Sequence, residues 1–207
     1  PDFEYILKGH EDAFQTGVDV LKKLTDGKVY LNKGIKQTSG FFERVKGVEL
    51  NTFSGPHPAG NISTQINRIS PINKGEVIWY LRPQDVLTIG RLFKTGKLDP
   101  TRIFALTGSE MEQPLYCKTI MGASISDILS GNTRDGKLRY ISGNVLTGQQ
   151  VEKTGFAGFY DSQISVIPEG DYYEFFGWAS PGFKKFSFYK SFPSWLMPGK
   201  KYRLDTN

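Results

Sequence analysis

Few side chains in this chain are equipped for covalent or acid–base chemistry. His10, His57 and Cys117 are its only histidines and cysteine, and these are the groups that act as base, nucleophile or soft metal ligand near neutral pH. A catalytic His needs an orienting carboxylate and a reacting group in reach. The spacing sets up neither a Ser-His-Asp nor a Cys-His arrangement. Thiolate-held zinc and iron–sulfur clusters require several cysteines, and a His-based metal cage several histidines. Asp and Glu are scattered without a pair that stands out, and neither GxGxxG nor GxxxxGK[ST] occurs. The best anion site left is the turn Ser54-Gly55-Pro56-His57-Pro58-Ala59-Gly60-Asn61, whose N–H groups at a helix start can face a ligand. His57 and Gly60 are its candidate contacts. Pro56 and Pro58 each remove a donor, and the plain alternative is a rigid turn that aims the helix. Cys117 lies in an apolar strand pattern and reads as a small core residue.

A second set of residues suits binding better than catalysis. Half of the chain's Phe, Tyr and Trp residues fall between Phe156 and Trp195. From Ala179 to Arg203 there are Lys184, Lys185, Lys190, Lys200, Lys201 and Arg203 but no acidic residue. Trp178, Phe183, Lys184, Lys185, Phe186, Phe188, Lys190 and Trp195 form the candidate surface. Aromatics interleaved with cations can stack bases, meet an anionic membrane surface or dock a partner protein. The plain reading is a hairpin with phenylalanines partly in the core and lysines guarding its edge.

The elements that must position these groups follow from periodicity. Phe3–Leu7 reads as a strand, and residues 12–26 as a helix with Phe14, Val18, Leu21 and Thr25 on one face, closed by Gly27. Val29–Leu31 is a short strand, residues 41–46 a short helix, Val48–Phe53 a strand, residues 60–69 a helix and Glu76–Leu81 a strand again. Pro83 opens a helix with Val86, Leu87, Ile89, Gly90 and Phe93 as its buried stripe, ending at Gly96. Alternating strands and helices define a Rossmann-like layered α/β domain over 1–98, truncated at its N-terminus. Strands at 102–106 and 115–121, a helix at 124–130 capped by Ser124 with Asp127 near a capping box, and strand 138–146, broken at Ser142-Gly143-Asn144, suggest a β-grasp-like module over 101–152. Strand patterns at 163–167, 172–178 and 185–189, punctuated by Pro-Glu-Gly-Asp and Ser-Pro-Gly, predict hairpins in an antiparallel β region over 153–207.

Composition bounds the remaining possibilities. At 207 residues, 38% hydrophobic and 23% charged, the chain can build a packed core in one or two domains by length and is outside the disordered regime. No uncharged apolar run approaches the roughly 18 residues of a spanning helix. The net charge of +5 is modest for a nucleic-acid binder. Starting at Pro1 without a Met or a signal region, the sequence reads as a piece of a longer protein.

His57-Pro58-Ala59-Gly60, Tyr80–Gly90 with Gln84-Asp85-Val86, Arg91-Leu92-Phe93-Lys94-Thr95-Gly96, Met121-Gly122-Ala123-Ser124, the stretch Ile141–Gly148 and Phe175-Phe176-Gly177-Trp178-Ala179 together resemble the A subunit of the Na+-translocating NADH:quinone oxidoreductases of bacterial respiratory chains. The resemblance covers nearly the whole chain and makes it the middle of that subunit. It implies a fold related to the NADH-binding flavoprotein subunit of respiratory complex I and to the C subunit of the Rnf ion pump: α/β plus β, with a Rossmann-like unit and a β-grasp module of the soluble-ligand-binding type. Those relatives follow the turn with acidic residues, where this chain has Asn61-Ile62-Ser63-Thr64, and they carry iron–sulfur cysteine clusters that a lone Cys117 cannot supply.

The resemblance therefore implies a subunit with no redox cofactor or metal of its own and no catalytic residue of its own. It would be peripheral on the cytoplasmic face of the inner membrane, without a transmembrane segment, docked on a membrane-embedded subunit and contributing to assembly and the quinone site. The complex would use NADH, quinone and Na+, with flavins and iron–sulfur centres on other subunits. Two other classes are weighed: a nucleic-acid-binding module using the basic aromatic surface, and a dinucleotide-binding redox subunit of the Rnf or complex I type.

Overall fold

The computed structural model describes residues 1–38, 40–170, 175–179, 181–183, 185 and 189–196. The chain divides into two compact units, Pro1–Arg102 and Ile103–Asn207, and is mixed α/β.

In the first unit, α1 (Phe3–Leu7) is a helix where the sequence suggests a strand. The Asp2 carboxylate accepts from the N–H groups of Glu4 at 3.0 Å and Tyr5 at 3.3 Å, a cap that commits the segment to a turn. Phe3, Ile6 and Leu7 then fall on one helical face, the last two buried. Helix α2 (Glu11–Leu24) buries Phe14, Gly17 and Val18; Leu24 faces solvent. Strands β1 (Tyr30–Gly34) and β2 (Glu49–Phe53) pair in parallel, Tyr30 opposite Glu49 through Gly34 opposite Phe53. Their connection carries a 3₁₀ turn at Phe42–Arg44 in place of a helix. Helix α3 (Ile62–Ile69) follows the Ser54–Asn61 turn, and its Gln65 side chain accepts from Asn32 of β1 at 3.1 Å.

Helix α4 (Pro83–Thr95) buries Val86, Leu87 and Gly90 as expected, together with Gln84, whereas Phe93 is exposed. The expected strand Glu76–Leu81 is not one: among the described residues it joins neither sheet, because a strand exists only where a ladder partner is supplied. The core of this unit is Leu7, Phe14, Val18, Phe41, Phe42, Val86 and Leu87. The Phe14 and Phe41 rings meet edge to face at 5.4 Å, as do Phe41 and Phe42 at 5.2 Å.

Two features fix the placement of α4. A Cβ at Gly90 would overlap the Ala13 carbonyl, and one at Gly17 the Val86 carbonyl, so the helices touch backbone to backbone. At the start of α4, one oxygen of Asp85 accepts from the Arg82 N–H at 3.2 Å, and the other pairs with Arg102, which is 1% exposed.

The second unit holds a five-stranded sheet in the order β4-β3-β7-β5-β6. Its strands are β3 (Thr101–Thr107), β4 (Leu115–Ile120), β5 (Leu138–Ser142), β6 (Gln149–Val151) and β7 (Gln163–Pro168). β7 runs parallel to β3 and antiparallel to β5, with Leu138 opposite Pro168 and Ser142 opposite Ile164. Helix α5 (Ile125–Leu129) supplies Ile125, Ile128 and Leu129 to a core completed by Phe104, Leu106, Met111, Ala157, Ile164 and Val166. Ser124 is its N-cap residue, but the expected capping box does not form: the Ser124 hydroxyl meets the Ser126 hydroxyl at 2.7 Å and caps no N–H.

The hairpins expected after β7 are not seen among the described residues. Phe175–Ala179 is a turn closed by the Ala179 N–H on the Phe176 carbonyl at 2.9 Å. Phe176 takes a φ of 54, a left-handed conformation that breaks an extended run. A 3₁₀ turn occupies Pro193–Leu196. The rest of the expected strands 172–178 and 185–189 lies largely outside the described residues.

These contacts set two expected outcomes. Gly90→Ala forces α4 away from α2 and lowers stability by about 1–3 kcal/mol, the usual range for overpacking, read as a drop in the denaturant midpoint. Asp85→Asn takes one carboxylate partner from the buried Arg102 guanidinium and lowers stability by about 1.5–3 kcal/mol, the usual worth of a hydrogen bond to a charged group, in the same measurement.

Candidate functional site

The Ser54–Asn61 turn is built to hold a shape. The Ala59 N–H donates to the Pro56 carbonyl at 2.9 Å, the Asn61 N–H to the Pro58 carbonyl at 2.8 Å, and the Gln65 amide to the Ala59 carbonyl at 3.4 Å. Pro56 and Pro58 have no N–H, so these bonds use donors that an anion would need. His57 and Gly60 are both exposed on this turn.

The aromatic and basic residues are brought together in part. Phe175 is 93% and Trp178 80% exposed. Phe176 lies between them, its ring 4.6 Å from Phe175 and 5.8 Å from Trp178. Lys185 does not project freely: its ammonium donates to the Gly177 carbonyl at 3.0 Å and sits 5.8 Å from the Phe192 ring centre. Its carbonyl accepts from the Ser194 hydroxyl. At Gly182, with a φ of 57, a Cβ would collide with the Phe192 ring, so this glycine permits the packing that holds Lys185. Lys190 lies 5.6 Å over the exposed Trp195 ring, and Phe183 and Tyr189 are exposed nearby in sequence. Lys184, Phe186 and Phe188 are outside the described residues.

Gly182 lies in the expected Ser-Pro-Gly break and Phe192 is among the phenylalanines expected partly in the core, whereas nothing in the sequence marks Ser194. Which ring meets the glycine is a tertiary fact.

Two other groupings were invisible in the sequence. The Ser142 hydroxyl donates to Asp161 at 2.6 Å and accepts from the Gly158 N–H at 2.8 Å, while Gln163 links Thr107 and Ser165 at 3.1 and 2.9 Å. These satisfied polar groups brace the end of the sheet. A cleft of about 360 Å³ is lined by Glu11, Asp12, Gln15, Phe41, Arg44, Val45 and Lys46. Backbone N–H groups at Glu11 and Gly9 hold the Glu11 carboxyl below its ordinary range. Among the described residues, no three His, Cys, Asp or Glu side chains cluster as a metal site, and no helix is long and apolar enough to cross a membrane. Cys117 is half-buried against the second unit's core, and burial pushes its thiol up.

Fold and surface together define a two-unit mixed α/β chain that presents exposed aromatics with stacked cations. Residues 1–98 match the model of the NqrA second alpha/beta domain, and residues 103–153 that of the NQRA C-terminal domain. The chain therefore belongs to the NqrA family, the A subunit of the Na(+)-translocating NADH-quinone reductases. Relatives bearing that name include those of Rhodopirellula baltica, 40% identical over 95% of this chain and 43% of the relative, and Vibrio campbellii, 39% identical over 98% and 45%. That of Yersinia pestis bv. Antiqua is 37% identical over 100% and 46%. The chain thus spans less than half the length of these relatives.

Alkylation tests the thiol. Because the thiolate is the reactive form, iodoacetamide at pH 8 is expected to modify Cys117 several-fold more slowly than free cysteine; a rate equal to that of free cysteine would contradict its burial.

Proposed function

We propose that this chain is the part of the A subunit that contributes to assembly and to the quinone site of a Na+-translocating NADH:quinone reductase. It lies peripherally on the cytoplasmic face of the bacterial inner membrane, against a membrane-embedded subunit, and carries no redox cofactor of its own. NADH, quinone and Na+ are used by the complex, with flavins and iron–sulfur centres on other subunits. Family membership supports the complex. The observation that carries the docking role is the run Phe175, Phe176 and Trp178 with the Lys190–Trp195 pair, large rings held in solvent beside a cation. Interfaces concentrate their binding energy in such aromatic anchors. The first unit is read as Rossmann-like over 1–98, residues 101–152 as a β-grasp module, and 153–207 as an antiparallel β region that carries the docking surface. A parallel pair flanked by helices, and a mixed sheet crossed by α5, support those readings.

The test is made in the assembled complex, with Trp178→Ala and Lys190→Glu combined in the full-length A subunit. Both side chains are exposed, so folding of the subunit by circular dichroism is expected to be unchanged. Retention of the subunit on the membrane complex should fall about tenfold or more, the loss of roughly one hot spot, with quinone reduction falling alongside it. Normal retention and normal quinone reduction would refute the docking role.

A further inference from the structure

The segment Val77-Ile78-Trp79-Tyr80-Leu81 is the least explained feature of the first unit. Both of its ends are held. The Glu76 N–H donates to the Asn73 carbonyl at 3.1 Å, and the Glu76 carboxylate accepts from the Asn73 N–H at 2.8 Å. At the other end the Arg82 N–H is tied to Asp85 at the start of α4. Between these anchors five consecutive apolar residues lie in solvent, Val77 76% and Trp79 86% exposed. Among the described residues, no backbone hydrogen bond engages Val77–Leu81.

The chemistry of the occupant follows from two facts. A run apolar at every position, rather than at every second one, suits a strand covered on both faces. Open N–H and C=O groups along both edges need a ladder. A bilayer covers side chains but leaves backbone groups unpaired, and the cleft at Glu11–Lys46 involves none of these residues. The occupant is polypeptide in the extended form, adding a strand.

Two further observations in the same unit point the same way. Among the described residues its sheet has only β1 and β2, short of the three strands that a sheet needs unless helices cover it. Helix α3 carries Ile62, Ile66 and Ile69 at helical spacing yet buries none of its residues. The matched relatives hold more than half of their length outside the matched part, since the chain covers 43% and 45% of them. A strand on the same polypeptide has a high effective concentration and outcompetes a separate partner for an open edge.

We propose that Val77–Leu81 is a strand completed in cis, paired and covered by the part of the A subunit outside these 207 residues. The inference rests on family membership and not on the docking or quinone reading, so either can fail without the other.

Hydrogen exchange on the unmodified full-length A subunit, isolated from the complex, tests it without any variant. The amides of residues 77–81 are expected to exchange at least about 100-fold slower than in an unstructured peptide, as in a strand whose local opening is unfavourable by two decades. The protection should not change on dilution. A second measurement replaces Trp79→p-benzoylphenylalanine in the same subunit and maps the photo-crosslink by mass spectrometry. Crosslinks to the same polypeptide outside residues 1–207 are expected. Exchange at unstructured rates, protection that requires high concentration and so a second copy, protection found only in the assembled complex, or crosslinks confined to residues 1–207 or to another chain would each overturn the inference.

Discussion

The backbone-to-backbone approach of α2 and α4 is the constraint on which the first unit turns. Gly17 and Gly90 leave room for carbonyl groups where any side chain would push the helices apart, and the Phe14, Phe41, Phe42, Val86 and Leu87 core is built around that contact. Close approach raises the number of packed atoms at a small interface, where dispersion gains are individually slight but collectively large. Asp85 anchors the start of α4. One carboxylate oxygen caps α4 and the other meets the buried Arg102, so an ion that would be costly alone is retained because it is paired. Further along α4, Arg91 pairs with Asp99 at 3.1 Å and meets His10 at 3.1 Å.

The second unit solves a different problem. Its sheet places β7, late in sequence, between β3 and β5, so residues 164–167 are buried on both faces. The polar residues that do enter this sheet are mutually satisfied: Thr107, Gln163 and Ser165 bond to one another, and Ser165 also donates to the Gly143 carbonyl at 2.8 Å. Arg139 and Glu169 pair across β5 and the end of β7, with the Arg139 Nε–H donating at 2.9 Å.

Much of the element order was legible before the structure. Helices α2, α4 and α5, strands β1 to β5 and β7, and the break after Ser142 follow from periodicity and from Gly and Pro punctuation. The misses have specific causes. Phe3–Leu7 has spacing compatible with either element, and the Asp2 cap decides for helix. Glu76–Leu81 has the composition of a strand, but composition does not provide a ladder partner. In the aromatic region, Phe176 at positive φ turns the chain where alternation suggested extension.

The candidate site divides along the same line. The sequence by itself determined that the chain lacks the residue sets for thiolate clusters or a Gly-rich phosphate loop, that aromatics and lysines concentrate after Phe156, and which family its motifs resemble, because these are properties of residue type and order. Only the tertiary structure decided that Lys185 is spent on Gly177 and Phe192 while Lys190 stacks on Trp195, that the turn around His57 uses its own Ala59 and Asn61 N–H groups, and that Val77–Leu81 lies open. Whether a donor, a cation or an apolar face is available to a partner depends on what else in the folded chain has already taken it, and that competition is settled by distance in space rather than by position in sequence.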